Sequence, residues 1–235
     1  MNPYYSHSGI TLYHGNCLDI LPSIETGSVD AVIVDPPFAV RGEEWDTFAD
    51  EAAFAGFTSQ WLTQAYRVSP VIATFFADRY VGMLRRVADE AAIPYRRALI
   101  WRKPPGSQYA GASQDGFWFD FEMIQVFGAP KKPRVKAHDF GVLEHRTVIG
   151  QVHGCEKPLG LMVKLIEGYS AIGETILDPF AGSGTTLVAS KILGRHATGI
   201  EAEERWCELI ATRLQQEVMP IEEIIEVREA QLSLI

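Results

Sequence analysis

Short runs of continuous apolar residues alternate along this chain with longer stretches in which apolar residues return every three or four positions. Residues 31–34 (AVIV) are of the first kind, the pattern of a strand covered on both faces of a sheet, and strands are also predicted at 71–76 (VIATFF), 175–177 (TIL) and 196–200 (HATGI). Further strands are predicted at 10–14, 98–101 and 123–127. Residues 48–67 are of the second kind, with Phe54, Phe57, Trp61, Leu62 and Ala65 on one helical face. Helices are also predicted at 18–24 (a single turn), at 79–92 with Pro94 as the stop, and from Pro158 in a first turn to about Tyr169. Two more follow at 185–193, closed by Gly194, and at 203–217. Alternating strands and helices specify an α/β fold with a mainly parallel sheet. Residues 131–150 read as a basic loop rich in turn formers, and the tail after Pro220 fits helix and strand equally well.

The length of 235 residues suits one domain, with no internal repeat. No apolar run approaches the roughly 20 residues that span a bilayer. The opening MNPYYSHSG has no basic segment followed by an apolar one, so the cytoplasm is the expected location. Cys17, Cys155 and Cys207 are far apart and form no CxxC pair. His138, His145, His153 and Cys155 match no compact zinc spacing, so no metal is expected. Net charge is −9, but residues 85–146 carry 11 basic and 7 acidic side chains. This basic island is the expected contact face for DNA, since phosphate contact needs a local positive surface.

Chemistry enters at two strand ends. After the strand at 175–177 come Asp178, Pro179, Phe180, Ala181, Gly182, Ser183, Gly184, Thr185 and Thr186, opening a helix. Glycines let a ligand approach the backbone, and a helix start offers N–H groups. The dinucleotide fingerprint needs glycine at 187, which is Leu, and a P-loop needs a lysine where Thr185 and Thr186 stand. Glu201 ends the next strand, placed for ribose hydroxyls. Loop and acid suit a nucleoside without a phosphate chain, such as S-adenosylmethionine.

After the strand at 31–34 come Asp35, Pro36, Pro37 and Phe38. Two prolines remove two N–H donors and fix an extended turn, leaving carbonyls facing a site with few competitors. With the Asp35 carboxylate they can accept both hydrogens of an exocyclic amine. Phe38 offers a ring face for stacking a base.

These motifs resemble those of the β-class, permuted DNA amino-methyltransferases, in which the catalytic tetrapeptide precedes the cofactor loop. The resemblance runs nearly end to end. It takes in LYHGNCLDILPSIETGSVDAVIVDPPF, the pair Trp45-Asp46, ALIWRKP at 98–104 and FEMIQVF with Glu122. It continues through His153-Gly154-Cys155-Glu156-Lys157-Pro158, ILDPFAGSGTTLVAS and GIEAEERWCELIATRL. Three departures stand out. Asn16 replaces the family's usual Asp, only His153, Lys157 and Pro158 persist of the segment ahead of the glycine loop, and residues 129–152 make a short loop in place of a full target-recognition insert.

The resemblance implies a circularly permuted Rossmann-like methyltransferase fold, a seven-stranded mainly parallel sheet with helices on both faces. It implies a catalytic set of Asp35, Pro36, Pro37 and Phe38. The implied cofactor set is Asn16 (on the adenine), Cys17, Asp35, Lys157, Asp178, Phe180, Ala181, Gly182, Ser183, Gly184, Thr185, Thr186 and Glu201. S-adenosylmethionine as cofactor, DNA as substrate and a homodimer as assembly follow from the same resemblance. Adenine N6 is the expected target, because the family's cytosine-N4 enzymes more often carry Ser at position 35. The competing readings are a cytosine-N4 enzyme, an RNA or protein amino-methyltransferase, a catalytically silent DNA-binding module and an NAD-dependent oxidoreductase.

Overall fold

A computed structural model describes residues 2–39, 46–105, 107, 120–129, 141–148 and 156–215. Its strands are β1 (Tyr5–His7), β2 (Ile10–His14), β3 (Ala31–Val34), β4 (Val71–Phe76), β5 (Tyr95–Arg102), β6 (Phe121–Gly128), β7 (Val142–Glu144), β8 (Thr175–Asp178) and β9 (His196–Glu201). Its helices are α1 (Cys17–Ile20), α2 (Glu51–Val68), α3 (Val81–Glu90), α4 (Leu159–Tyr169), α5 (Thr185–Ile192) and α6 (Glu204–Gln215). All nine strands join one sheet in the order β1-β2-β9-β8-β3-β4-β6-β5-β7. Only β1 and β6 run against the rest.

The sheet has two strands more than the seven expected. Both are three-residue edge strands: β1 forms a hairpin with β2, and β7 lies alongside β5 inside the stretch read as loop. Neither carries a periodic apolar signal, because each is mostly exposed and is fixed by a neighbour's backbone. Helix α2 starts at Glu51 because the Asp50 carboxylate caps Ala53 N–H at 2.7 Å. Helix α3 is shorter than expected at both ends. Arg79 sits in a separate 3-10 turn, and left-handed Ala92 (φ +54°) ends the helix before Pro94 can.

Alternate residues of each central strand feed two cores. Ala31, Ile33, Val71, Ala73, Phe75 and Ile176 face a layer made by α4, α5 and α6. Val32, Val34, Ile72, Phe76 and Leu177 face a layer made by α1, α2 and α3. Both faces being covered explains why AVIV is an unbroken apolar run and VIATFF is broken only by the buried Thr74. No helix among the described residues is long and apolar enough to cross a membrane.

Candidate active site

Strands β3 and β8 are parallel neighbours, with Ala31 opposite Ile176 and Val32 opposite Leu177. Their C-terminal ends therefore emerge side by side, and so do the two motifs far apart in sequence. Ligands in open α/β sheets collect at such ends. Here a cavity of about 300 Å³ opens there, lined by both turns.

On the β8 side the chain turns sharply. Ala181 N–H donates to Ile200 O at 2.9 Å and Gly184 N–H to Ala181 O at 2.7 Å. Gly182 (φ +52°) and Gly184 (φ +78°) are both left-handed, a conformation costly for other residues. A Cβ on Gly184 would also meet Ile210 at 2.8 Å. Glu201 braces the loop: its Oε2 accepts from Gly182 N–H and its Oε1 from Glu203 N–H, each at 2.8 Å. Burial pushes the Glu201 carboxyl up, against those backbone hydrogen bonds. Leu187, in place of the fingerprint glycine, packs onto Gly199 of β9; a Cβ on Gly199 would lie 2.6 Å from it. Close helix–strand contact is thus achieved with the small residue on the strand.

Asp178 is 4% exposed. Burial pushes its carboxyl up to about 7, opposed by hydrogen bonds from Thr186 and Phe180 N–H and reinforced by the charges of Asp35 and Glu201. Cys17 is buried, with its thiol pushed up to about 12 mainly by that burial, so it acts as wall rather than nucleophile.

On the β3 side, a single carboxylate holds the proline turn. Asp46 Oδ1 accepts from Phe38 N–H at 2.5 Å and Ala39 N–H at 2.6 Å, while Ala39 adopts φ +58°. Phe38 leans on Phe76 with ring centroids 6.1 Å apart. Lys157 Nζ lies 2.5 Å from Asp35 Oδ2. Lys157, expected in the cofactor set together with Asp35, bonds the Asp35 carboxylate and lines the shared cavity.

All the predicted site residues except Gly184 line the cavity. Gly184 shapes the turn from behind, against Ile210. Asn16 lines it too, but its Oδ1 caps α1 by accepting from Leu18 N–H at 2.9 Å, so the adenine contact expected of it would fall to the other side-chain atom. The sequence reading missed Asp46's clamp, Phe57 and Trp206. Trp206 follows Glu201 by five residues on the opening turn of α6, a position the motif comparison did not single out.

Among the described lining residues, Asp35, Asp46, Asp178, Glu201 and Glu203 face one cation, Lys157. That balance opposes a phosphate chain and suits a cationic ligand with hydroxyls and a flat ring, which is the chemistry of S-adenosylmethionine. Aromatic walls from Phe57, Phe180 and Trp206 can take the ring.

The basic segment is divided by the fold. Arg96 and Arg97 sit toward the start of β5, at the sheet end away from the cavity. Arg85 lies 3.8 Å over the Tyr95 ring. Arg102 and Lys103 lie at the cavity end, paired with Glu144 at 2.7 Å and Glu122 at 2.8 Å. The described basic side chains of 85–146 thus lie at both ends of the sheet. Lys131, Lys132, Arg134, Lys136, Trp45, His138, His153, Cys155 and the tail after Pro220 lie outside the described residues.

The chain is similar to the type II methyltransferase M2.MboI of Moraxella bovis, 24% identical over 94% of this chain and 93% of that one. It is also similar to the type II methyltransferase M.HinfI of Haemophilus influenzae, 24% identical over 88% and 68%. Among solved structures, the PvuII DNA methyltransferase (cytosine-N4-specific) superposes with a TM-score of 0.79 at 17% identity, covering 96% of this chain and 93% of that one. The M1.HpyAVI–SAM complex superposes with a TM-score of 0.68 at 21% identity, covering 88% and 100%. A family model described as DNA methylase, of the N6/N4 methyltransferases, matches residues 29–212, which contain both turns. On that match, the chain belongs to the N6/N4 methyltransferase family of DNA methylases.

Proposed function

We propose that the protein uses S-adenosylmethionine to methylate N6 of adenine at a specific site in DNA, with the base turned out of the helix into the pocket beside Asp35 and Phe38. The observation that carries this reading is the shared cavity: the amine-accepting turn and the glycine loop open into one space. Bound cofactor supplies an electrophilic methyl on a sulfonium. Everything else falls to the chain. Adenine's amino nitrogen is a poor nucleophile because its lone pair is delocalised into the ring. The Asp35 carboxylate and the Pro36 carbonyl accept its two hydrogens, draw it toward sp³ geometry and stabilise the positive charge that grows on it. Phe38 holds the ring by stacking, and unstacking the base from the duplex costs a few kcal/mol. Positioning supplies most of the acceleration.

Asp at position 35 supports adenine over cytosine, whose N4 enzymes in this family more often carry Ser there. The names of M2.MboI and M.HinfI support a role in type II restriction-modification, acting on cytoplasmic DNA. The test is mass analysis of nucleosides from DNA of methylation-deficient cells expressing the protein, with labelled transfer to RNA and protein run alongside. N6-methyladenine is the expected product. N4-methylcytosine would overturn the base assignment, and label in RNA or protein alone would overturn the substrate.

A further inference from the structure

Four charged side chains of alternating sign cross the C-terminal edge of the sheet beside the cavity. Lys103, just after β5, reaches Glu122 Oε1 at 2.8 Å; Glu122 Oε2 lies 3.5 Å from Lys157 Nζ; Lys157 Nζ lies 2.5 Å from Asp35 Oδ2. The row spans four strands. Asp35 follows β3, Lys157 crosses the end of β4 with its ammonium 5.0 Å over the Phe75 ring, Glu122 opens β6, and Lys103 leaves β5. The two lysines are almost wholly buried, with side chains 7% and 8% exposed. With so little of either side chain exposed, the carboxylates beside each ammonium help to set its position. Among the described residues Lys157 has two, and one of them is in the reacting pocket. Burial raises the Glu122 carboxyl, but Lys157 and Lys103 outweigh it and hold it below its ordinary value.

We propose that Glu122 and Lys103 are positioning residues: they fix the ammonium of Lys157 so that it orients and charge-balances the Asp35 carboxylate for the target amine. This rests on the methyl-transfer reading of the site. Without Glu122, Lys157 loses one of its two described carboxylates, and with it the contact that holds the ammonium from the side opposite Asp35. Without Lys103, Glu122 swings toward Lys157 and competes with Asp35 for it. Either way the acceptor loses its fixed direction, and a reaction that depends on aim slows. Cofactor contacts on the far side of the cavity, at Gly182 and Glu201, are untouched.

Three variants test it: Glu122→Gln, Glu122→Asp and Lys103→Met. Methyl transfer to DNA should fall about tenfold or more in kcat for Glu122→Gln, less for Glu122→Asp, with S-adenosylmethionine affinity by calorimetry within about twofold. A second readout needs no substrate. In side-chain nitrogen NMR of the protein, Lys157 should give a slowly exchanging ammonium signal, assigned with Lys157→Arg, that broadens or disappears in Glu122→Gln and persists in Glu122→Asp. Unchanged kcat and an unchanged ammonium signal in Glu122→Gln would overturn the proposal. So would a kcat loss matched by an equal loss of cofactor affinity or thermal stability, which would mark a merely structural role. If Glu122→Gln does not fold, Lys103→Met must show the same split between kcat and affinity, or the proposal fails. A wild-type protein that holds the protected Lys157 signal but methylates no DNA would sink the functional reading and leave the charge row standing.

Discussion

The sharpest single-residue consequence concerns Asp178. A carboxyl raised to about 7 from an ordinary 3.8 binds its proton more tightly folded than unfolded. The stability this gives is fully present below the unfolded value and is lost as pH rises through about 7. Asp178→Asn has no proton to lose. Its melting temperature should exceed that of the wild type by at least about 2–4 °C at pH 8, the equivalent of about 1 kcal/mol in a chain of this size. The gap should shrink as pH falls toward 4, while cofactor affinity drops. Identical melting curves at both ends of that range would contradict the burial account. Side-chain identity was legible in the sequence wherever a motif demanded a residue type, as at Asp35, Gly182 and Glu201. It was not legible where a side chain works across the fold. Nothing near Lys157 in sequence announces Asp35, which is 122 positions away and reached only because β3 and α4 meet.

At the scale of elements, two pieces of packing make the site rigid. One is the clamp on the proline turn. Asp46→Ala leaves the half-buried N–H groups of Phe38 and Ala39 without this acceptor, at a cost of about 1 kcal/mol. Because the loop at β8 is independent of it, kcat should fall while S-adenosylmethionine affinity holds. Equal losses in both would show that the turn and the loop are one unit. The other is the seat of α5 on β9. Gly199→Ala would push a methyl into Leu187 and should destabilise by about 1–3 kcal/mol, read as a lower melting temperature. Core elements were readable because burial on both faces leaves an unmistakable apolar run, and β2, β3 and β4 fall where the pattern puts them. Edges and ends were not. Strand β7 is set by pairing with β5, and the end of α3 by the left-handed turn at Ala92, and neither leaves a periodic mark.

For the whole molecule, chain order and spatial order part company. The amine turn comes early and the glycine loop late, yet the sheet places β3 beside β8. That adjacency is what opens both turns into one cavity, and it was legible only through the paired motifs, since periodicity gives strands but not their neighbours. On the proposed function, the cavity has two separable halves, one for the cofactor and the other for the amine. Calorimetric titration of S-adenosylmethionine alongside a methyl-transfer assay, on Asp35→Ala and Gly182→Val, tests it most directly. Asp35→Ala should bind the cofactor within about threefold of wild type while transfer falls by about 10³-fold or more, and Gly182→Val should lose the cofactor. Wild-type turnover in Asp35→Ala, or undiminished cofactor affinity in Gly182→Val, would contradict it.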